Sequence, residues 1–234
     1  MERSINQHRI DAVEHQLAIS FGKRYKDVTE IVDRSTLEKD YQLLHVSDND
    51  HIKAFYPRFS TRTIQNENQS IMRISTSPGI LYCILGRGDP IGENQFIWKN
   101  HATFYTIYGL DWNIAVKPSE KLVLDVPYSH EHWIVVADPN ERSYIPVIHG
   151  QFFLYQVEAK PSKNLVERHY TFYLKLARPT LLYGDVMLDK GFWEVRVNNW
   201  VQPFTTFSKN NVSIRSIKEG MFTKEYVQRF MKKK

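Results

Sequence analysis

The sequence predicts a mainly β protein: an antiparallel β-sandwich or barrel body with a short N-terminal helical segment and a C-terminal helical arm. Apolar and polar residues alternate along the stretch 144–197, most clearly over 169–176, where the aromatic and leucine residues at even positions share one face. Alternation with a period of two is typical of a half-buried strand. Turn-forming Pro, Gly, Asp and Asn residues separate further strand-like runs at roughly the 8–12-residue spacing of all-β domains, with no long helical pattern between them.

The composition is that of a folded domain. The chain has 234 residues, of which 42% are hydrophobic and 24% are charged, so it can bury a core. Its one cysteine, Cys83, excludes an intrachain disulfide and a cysteine-based zinc site. No apolar run approaches the roughly 20 residues that span a bilayer, and the polar first residues do not resemble a signal peptide. We therefore expect a protein made in a cytoplasm, with no membrane partner.

The first 50 residues carry the signals of a helical arm. Residues 4–20 have apolar side chains close to a helical spacing, and Gly22 is expected to end that helix. The segment 23–32 fits a strand or a helix, and we interpret it as extended. A serine and a glutamate three residues apart form a capping-box pattern, which predicts a short helix over 35–44. Residues 1–50 are thus predicted to form an N-terminal helical arm.

Residues 51–207 are predicted to form the sandwich or barrel body. From residue 55 to residue 68 the chain is polar and typical of a connecting segment. Strands are predicted beyond it over the ranges 71–74, 80–85, 96–99, 103–108, 112–116, 121–126 and 133–136, followed by the core stretch 144–197 and a last strand over 212–217.

The positive charge of the protein lies at its C-terminus. Residues 208–234 contain eight Lys or Arg and two acidic residues, whereas the rest of the chain has 23 Lys or Arg and 24 acidic residues. A short amphipathic helix is predicted over 223–231. Clustered Lys and Arg side chains favour contact with phosphates or with an acidic partner, although a solvated tail has the same composition. Residues 208–234 are therefore predicted to form a basic C-terminal arm.

Both arms are predicted to bind neighbouring subunits. Burial of apolar arm side chains would drive association, and ion pairs would set register and association rate. Deletion of residues 221–234 is expected to leave the body folded and to abolish assembly. The residues expected to contact partners are Ile5, Val13, Leu17, Lys224, Tyr226, Arg229, Phe230, Lys232, Lys233 and Lys234.

No motif in the sequence specifies a reaction or a cofactor. The closest to a metal motif is 130–132, His-Glu-His, where two imidazoles would share one strand face with Asp125 nearby, but the spacing supplies no third ligand. The glycine-rich run 85–90 lacks the helix start of a phosphate loop and predicts a hairpin turn. Aromatic and basic residues interleave over 170–178, as in sheets that stack nucleic-acid bases, yet Phe172 is on the predicted core face. We expect no enzyme, no metal and no cofactor.

Several short segments of the core stretch resemble structural proteins of tailed bacteriophages. The segments are Tyr-Ile-Pro-Val at 144–147, Phe-Phe at 152–153, Val-Glu at 157–158, Gly-Asp at 184–185 and Phe-Trp-Glu-Val at 192–195. They are most similar to the neck proteins that join head to tail in contractile-tailed phages, which have a short strand ending in a proline, a tight turn, an aromatic strand and a Val-Glu pair. The resemblance implies a ring-forming virion component without catalytic residues.

These observations predict a non-enzymatic structural subunit of a tailed-phage virion, in the neck, the head-to-tail connector or the baseplate. Its expected partners are copies of itself in a ring, other virion proteins and, through the basic C-terminal arm, DNA phosphates. It would be assembled in the host cytoplasm. Two alternatives stay open: a nucleic-acid-binding module that uses the basic arm, and an enzyme with an unrecognised site around His130 and His132.

Overall fold

The computed structural model describes residues 5–60, 70–87, 104–136, 143–162, 165–201 and 206–223. Within these ranges the chain is mainly β, its paired strands are antiparallel, and its sheets are arranged like a sandwich without closing into a barrel. The prediction of a β-rich antiparallel body is confirmed. None of the helices in these ranges is long and apolar enough to cross a membrane.

Three helices and twelve strands lie in the described ranges. The helices are α1 (Ile5–Phe21), α2 (Ile80–Arg87) and α3 (Val126–Ser129). The strands are β1 (Thr29–Asp33), β2 (Leu44–Ser47), β3 (Ile74–Thr76), β4 (Phe104–Leu110), β5 (Ile114–Pro118), β6 (His132–Ile134), β7 (Pro146–Ser162), β8 (Leu165–Leu176), β9 (Thr180–Tyr183), β10 (Val186–Leu188), β11 (Gly191–Trp200) and β12 (Val212–Ser216). Short 3-10 turns occupy Tyr25–Asp27, Arg34–Thr36 and Glu219–Met221.

The large sheet has six strands in the order β12-β11-β8-β7-β4-β2. Its inner face carries the alternating apolar residues of 169–176, as predicted, and α2 and the β9–β10 hairpin cover that face. Phe172, Leu174 and Trp200 are each at most 1% exposed. Burial of such large side chains, each contributing roughly 2–3 kcal/mol, stabilises the pairing of strands far apart in the chain.

The small sheet has four strands in the order β1-β5-β6-β3 and lies between α1 and one end of the large sheet. Val13 and Leu17 of α1 pack beside Trp133 on one face of this sheet. The two sheets meet where Leu44 and Ser77 exchange backbone hydrogen bonds of 2.8 and 2.9 Å. The body is therefore continuous from one sheet to the other.

The N-terminal residues join the body. The helix predicted over 4–20 is confirmed as α1, and it ends where Gly22 has a φ of 73°. β1 and β2 then add a strand to each sheet. The helix predicted over 35–44 is wrong, because the Asp33 carboxylate accepts the N–H of Ser35 (2.8 Å) and closes only one 3-10 turn. The last residue of the predicted helix, Leu44, is in a strand instead, because it pairs with Gly109 as the first residue of β2.

Two predicted strands are helical or turn structure. The run 80–85 forms α2, whose apolar side chains face the large sheet, the β9–β10 hairpin and α3. A short apolar run fits a buried strand and a buried helix equally well, so its sequence did not distinguish them. The run 121–126 is a turn leading into α3, because the N–H groups of Leu122 and Val123 both donate to the Ser119 carbonyl.

The remaining strand predictions are largely confirmed. The strands near 103–108, 112–116 and 133–136 correspond to β4, β5 and β6, and the last predicted strand corresponds to β12. The strand predicted over 71–74 begins later, at Ile74. The strand predicted over 96–99, the second half of the hairpin turn predicted over 85–90 and the C-terminal helix predicted over 223–231 lie outside the described residues, save Thr223 at the start of that helix. The first half of that turn, 85–87, is helical instead, because it forms the end of α2.

Candidate protein-contact site

An exposed strip of apolar side chains lies where β7 begins. The backbones of Phe55 and Tyr144 exchange two hydrogen bonds of 2.8 Å, with Phe55 turned toward the core. Successive side chains of an extended segment point to opposite faces. Tyr56 follows Phe55 and Ile145 follows Tyr144, so both side chains lie on the face directed away from the core. Val147 shares the face of Ile145 because it is two residues further along the chain.

These side chains are exposed to an unusual degree. Ile145 is 77% exposed, Tyr56 is 62% exposed and Val147 is 39% exposed, and Ile148 beside them is also exposed. We call Tyr56, Ile145 and Val147 the apolar strip. Ile148 directly follows Val147 and pairs with Tyr108, so it does not share their face. A set of large apolar groups left in water does not stabilise the monomer, and such sets typically mark protein-contact sites.

A second exposed apolar pair lies on the same connecting segment. Arg58 and Arg73 exchange backbone hydrogen bonds of 3.2 and 3.0 Å, which places Phe59 and Met72 opposite each other on the adjoining backbone. Phe59 is 54% exposed and Met72 is 45% exposed. The sequence prediction treated 55–68 as a polar connection and missed this segment. The signal that could have identified it is the presence of Phe55, Tyr56 and Phe59 within five residues of otherwise polar sequence.

One end of the apolar strip is held by a histidine in a β-bulge. The register between β4 and β7 shifts after Ile107, and His149 of the bulge is buried. Its ring lies over Gly109, where a Cβ would overlap it, and its Nδ1 is 3.4 Å from the Thr180 hydroxyl. Burial, aided by the charge of Arg178, lowers the pKa of His149 to about 4. The imidazole is therefore neutral at physiological pH and serves as packing.

The partner residues predicted on α1 have another role. Val13 and Leu17 are completely buried against the small sheet, so neither side chain is available to a neighbouring subunit. Ile5 is the first residue of α1. Over the part of α1 whose side chains the structure describes, residues 6–21, the large apolar side chain that is exposed is Ile19, at 72%. The helical stripe was recognised from the sequence, but the surface that it contacts belongs to the same chain.

The other predicted partner residues follow the last described segment. Lys224, Tyr226, Arg229, Phe230 and Lys232–Lys234 lie outside the described residues.

The segment that precedes these residues crosses the outer face of the large sheet. There, the Phe222 ring lies 5.2 Å from the Phe153 ring and 6.2 Å from the rings of Phe104 and Phe192, centroid to centroid. This segment therefore anchors the start of the C-terminal arm to the body.

The His-Glu-His motif at 130–132 does not gather metal ligands. The His132 Nδ1–H donates to the His130 carbonyl (2.8 Å), and its Nε2 accepts from the Tyr41 hydroxyl (3.1 Å). His130 instead contacts the ring of Tyr82, with centroids 4.3 Å apart. The described residues contain no group of three or more His, Cys, Asp or Glu side chains placed to hold a metal ion.

The comparisons with known proteins identify no relative. Protein-family models, curated proteins and solved structures all give no match to this chain. The apolar strip is thus assigned from geometry and exposure, and its role is inferred from the chemistry of its residues.

Proposed function

We propose that this chain is a non-enzymatic structural subunit of a tailed-phage particle, acting in the neck, the connector or the baseplate. It would assemble with copies of itself in a ring and with other virion proteins, in the host cytoplasm. Its sandwich-like body supplies a rigid frame, and its exposed apolar side chains supply contact area.

The observation that carries the proposal is the exposure of Ile145 and Val147. Both belong to the segment 144–147, which opens the resemblance to phage neck proteins. Their side chains point away from the core, so the fold of the monomer does not require them to be apolar. A contact with another subunit would explain why they are apolar, because such a contact would remove their apolar surface from water.

The polar chemistry of the described residues favours contact over catalysis. His132 and His149 use ring nitrogens in internal hydrogen bonds, and burial lowers the pKa of both. The Cys83 thiol is buried and donates to the Leu44 carbonyl at 3.2 Å. These groups are occupied in holding the body together. A protein that works through its surface is consistent with this arrangement.

The test is the mass of the purified full-length chain in solution, measured by light scattering over a range of concentrations and at low and high salt. We expect a discrete assembly of many copies, and we expect Ile145→Asp to reduce it to smaller species. The matched control is Leu124→Asp, since Leu124 is also apolar and 59% exposed but belongs to the turn that leads into α3.

A wild-type chain that stays monomeric under every condition, with both variants indistinguishable from it, would contradict the proposed self-assembly. Salt-sensitive binding of DNA by such a monomer would then favour the nucleic-acid-binding alternative. A metal-dependent change in its stability would favour an enzyme.

A further inference from the structure

β12 forms one edge of the large sheet. Within the described ranges, β11 is the only strand that pairs with it. The Ile217 N–H donates to the Phe192 carbonyl (3.0 Å) beyond one end of the pair, and the Asn198 N–H donates to the Asn211 carbonyl (2.8 Å) beyond the other. These two bonds define which residues of β12 direct their backbone groups toward β11.

Hydrogen-bonded and non-bonded pairs alternate in an antiparallel ladder. In this register Ser213 and Arg215 bond to β11, so Ile214 and Ser216 direct their N–H and C=O groups away from the sheet. The outer edge of β12 therefore presents alternating backbone N–H and C=O groups. Another extended backbone could form antiparallel or parallel hydrogen bonds with them.

The same edge carries a fixed pair of arginines. Glu194 on β11 is 2% exposed, and its Oε1 accepts from the Nε of Arg196 and from the Nε of Arg215, both at 2.8 Å. Its Oε2 accepts from Arg215 Nη2 at 2.9 Å. Burial acts to raise the pKa of Glu194, but the hydrogen bonds from the two arginines outweigh it and the pKa lies below its usual value.

The arginines are held in place while remaining accessible. The side chain of Arg196 is 54% exposed, and that of Arg215 is 60% exposed. Together with Ser213 they line a surface cleft of about 180 Å³. Glu194 holds the Arg196 guanidinium through its Nε, so the Nη groups of Arg196 can donate to a further carboxylate at the cleft.

We propose that β12 and this arginine cleft bind an extended, acidic segment of a partner protein. The partner backbone would add a strand at Ile214 and Ser216, and one of its carboxylates would accept from Arg196. The inference rests on the proposed contact function and names the chemistry of one partner. The described segment 206–223, which contains β12, has Lys209, Arg215 and Lys218 against one acidic residue, Glu219, and this excess of positive charge favours an acidic partner.

A peptide fits this edge better than a nucleic acid does. The outward groups of β12 are donors and acceptors in alternation, and a peptide backbone supplies both kinds of partner. Phosphates only accept hydrogen bonds, so a phosphate backbone would leave the outward carbonyl groups without a donor. The buried Glu194 also cancels part of the positive charge that a phosphate backbone would need.

The test is an NMR titration of the ¹⁵N-labelled full-length chain carrying Ile145→Asp, the substitution expected to reduce the assembly to smaller species whose amides NMR can resolve. The probe is a short capped peptide of alternating glutamate and threonine, compared with the same peptide carrying lysine for glutamate and with a single-stranded DNA oligonucleotide. We expect saturable shifts of the Ile214 and Ser216 amides with the acidic peptide only. Arg196→Ala should raise its Kd by about tenfold or more, because a charge-assisted hydrogen bond is lost.

Substitutions at Ser216 test the backbone pairing. Ser216→Pro removes one outward N–H and no bond to β11, so it should weaken peptide binding severalfold, whereas Ser216→Ala should not change it. Absent shifts, shifts centred away from β12, or equal or tighter binding of the oligonucleotide there would overturn the inference.

The readout is peptide binding rather than assembly. Failure of the titration therefore removes this inference without deciding the proposed structural role. Failure of the light-scattering test, with intact peptide binding at β12, would do the reverse.

Discussion

At the residue scale, Gly109 leaves space for the buried ring of His149 between two strands of the large sheet. It lies on β4 opposite Val147, and the ring of His149 occupies the space where a side chain at 109 would stand. The β-bulge in β7 brings His149 to that position. The absence of a side chain at Gly109 is therefore a packing requirement at the end of the apolar strip.

We expect Gly109→Ala to lower the free energy of unfolding by about 1–3 kcal/mol, because the new methyl group overpacks the site. Urea denaturation would measure it. In a His149→Ala background the same substitution should cost less, since the overlapping ring is gone. The control is Gly220→Ala, where nothing lies within 4 Å of the new Cβ. Equal effects at Gly109 and Gly220 would show that the His149 contact is not the constraint.

Glu131 is a buried acid whose two closest partners both favour its charged form. Its Oε1 accepts the Trp133 Nε1–H at 2.8 Å, and the Nε of Arg73 lies 4.0 Å from the same oxygen. The Arg73 guanidinium also lies over the Trp133 ring, 4.5 Å from its centroid. Burial outweighs the hydrogen bond from Ser75 and the attraction of Arg73, and it raises the pKa of Glu131 to about 7.

This raised pKa predicts a stability that depends on pH. The folded chain binds the Glu131 proton more tightly than the unfolded chain, whose pKa is near 4.5. The resulting stabilisation is complete below pH 4.5 and is lost as the pH rises through 7. Relative to Glu131→Gln, the wild type should thus lose on the order of 2–3 kcal/mol between those limits. Urea unfolding of both proteins from pH 4.5 to 8 measures this difference, and a difference independent of pH would contradict the assignment.

At the scale of elements, the segment after β12 packs against the large sheet and contributes to its stability. Phe153 and Tyr173 are buried on the outer face of the large sheet, and Phe222 and Ile217 pack against them. The deletion first expected to spare the body, of residues 221–234, would remove Phe222 and expose that aromatic face. A deletion of residues 224–234 separates the role of the basic arm from the stability of the sheet.

We therefore expect Phe222→Ala to lower the free energy of unfolding by about 1–3 kcal/mol, because Phe222 is only partly buried and its loss uncovers Phe153. Deletion of residues 224–234 should change stability little while weakening assembly. Chemical denaturation and light scattering of the same samples measure the two effects. A stable 221–234 deletion would show that Phe222 contributes no packing energy.

At the scale of the whole molecule, the two sheets share one hydrogen-bonded corner and one apolar cluster. The pairing of Leu44 with Ser77 links β2 to the chain after β3. Tyr108 of the large sheet and Ile134 of the small sheet belong to the same buried cluster. Such continuity favours a single cooperative unfolding transition.

Cys83 offers a direct test of this cooperativity. It lies under the large sheet, where burial raises the pKa of its thiol to about 12, so the folded protein should not react with thiol reagents. Its labelling should begin at the urea concentration at which tryptophan fluorescence reports the loss of structure, because that fluorescence comes from both cores, from Trp133 at the small sheet and from Trp200 in the cluster that contains Cys83. Two separate midpoints would mean that the sheets unfold independently.

Local pattern determined much of this fold. The alternation over 169–176 predicted β8 and its buried face because successive strand side chains must point to opposite sides. The apolar spacing over 4–20 predicted α1, and Gly22 predicted its end, because that residue adopts a left-handed conformation at low cost. The apolar composition and the single cysteine similarly determined that the core is held by packing rather than by disulfides.

Tertiary contacts decided the rest. The run 80–85 suits a strand or a helix, and the surfaces around it made it α2. The apolar side chains of Val13 and Leu17 suit a core and an interface equally well. They belong to the core because α1 packs against the small sheet. The exposure of Ile145 and Tyr56 depends on pairing between segments far apart in the chain. Sequence periodicity states which side chains share a face, whereas long-range pairing determines what that face contacts.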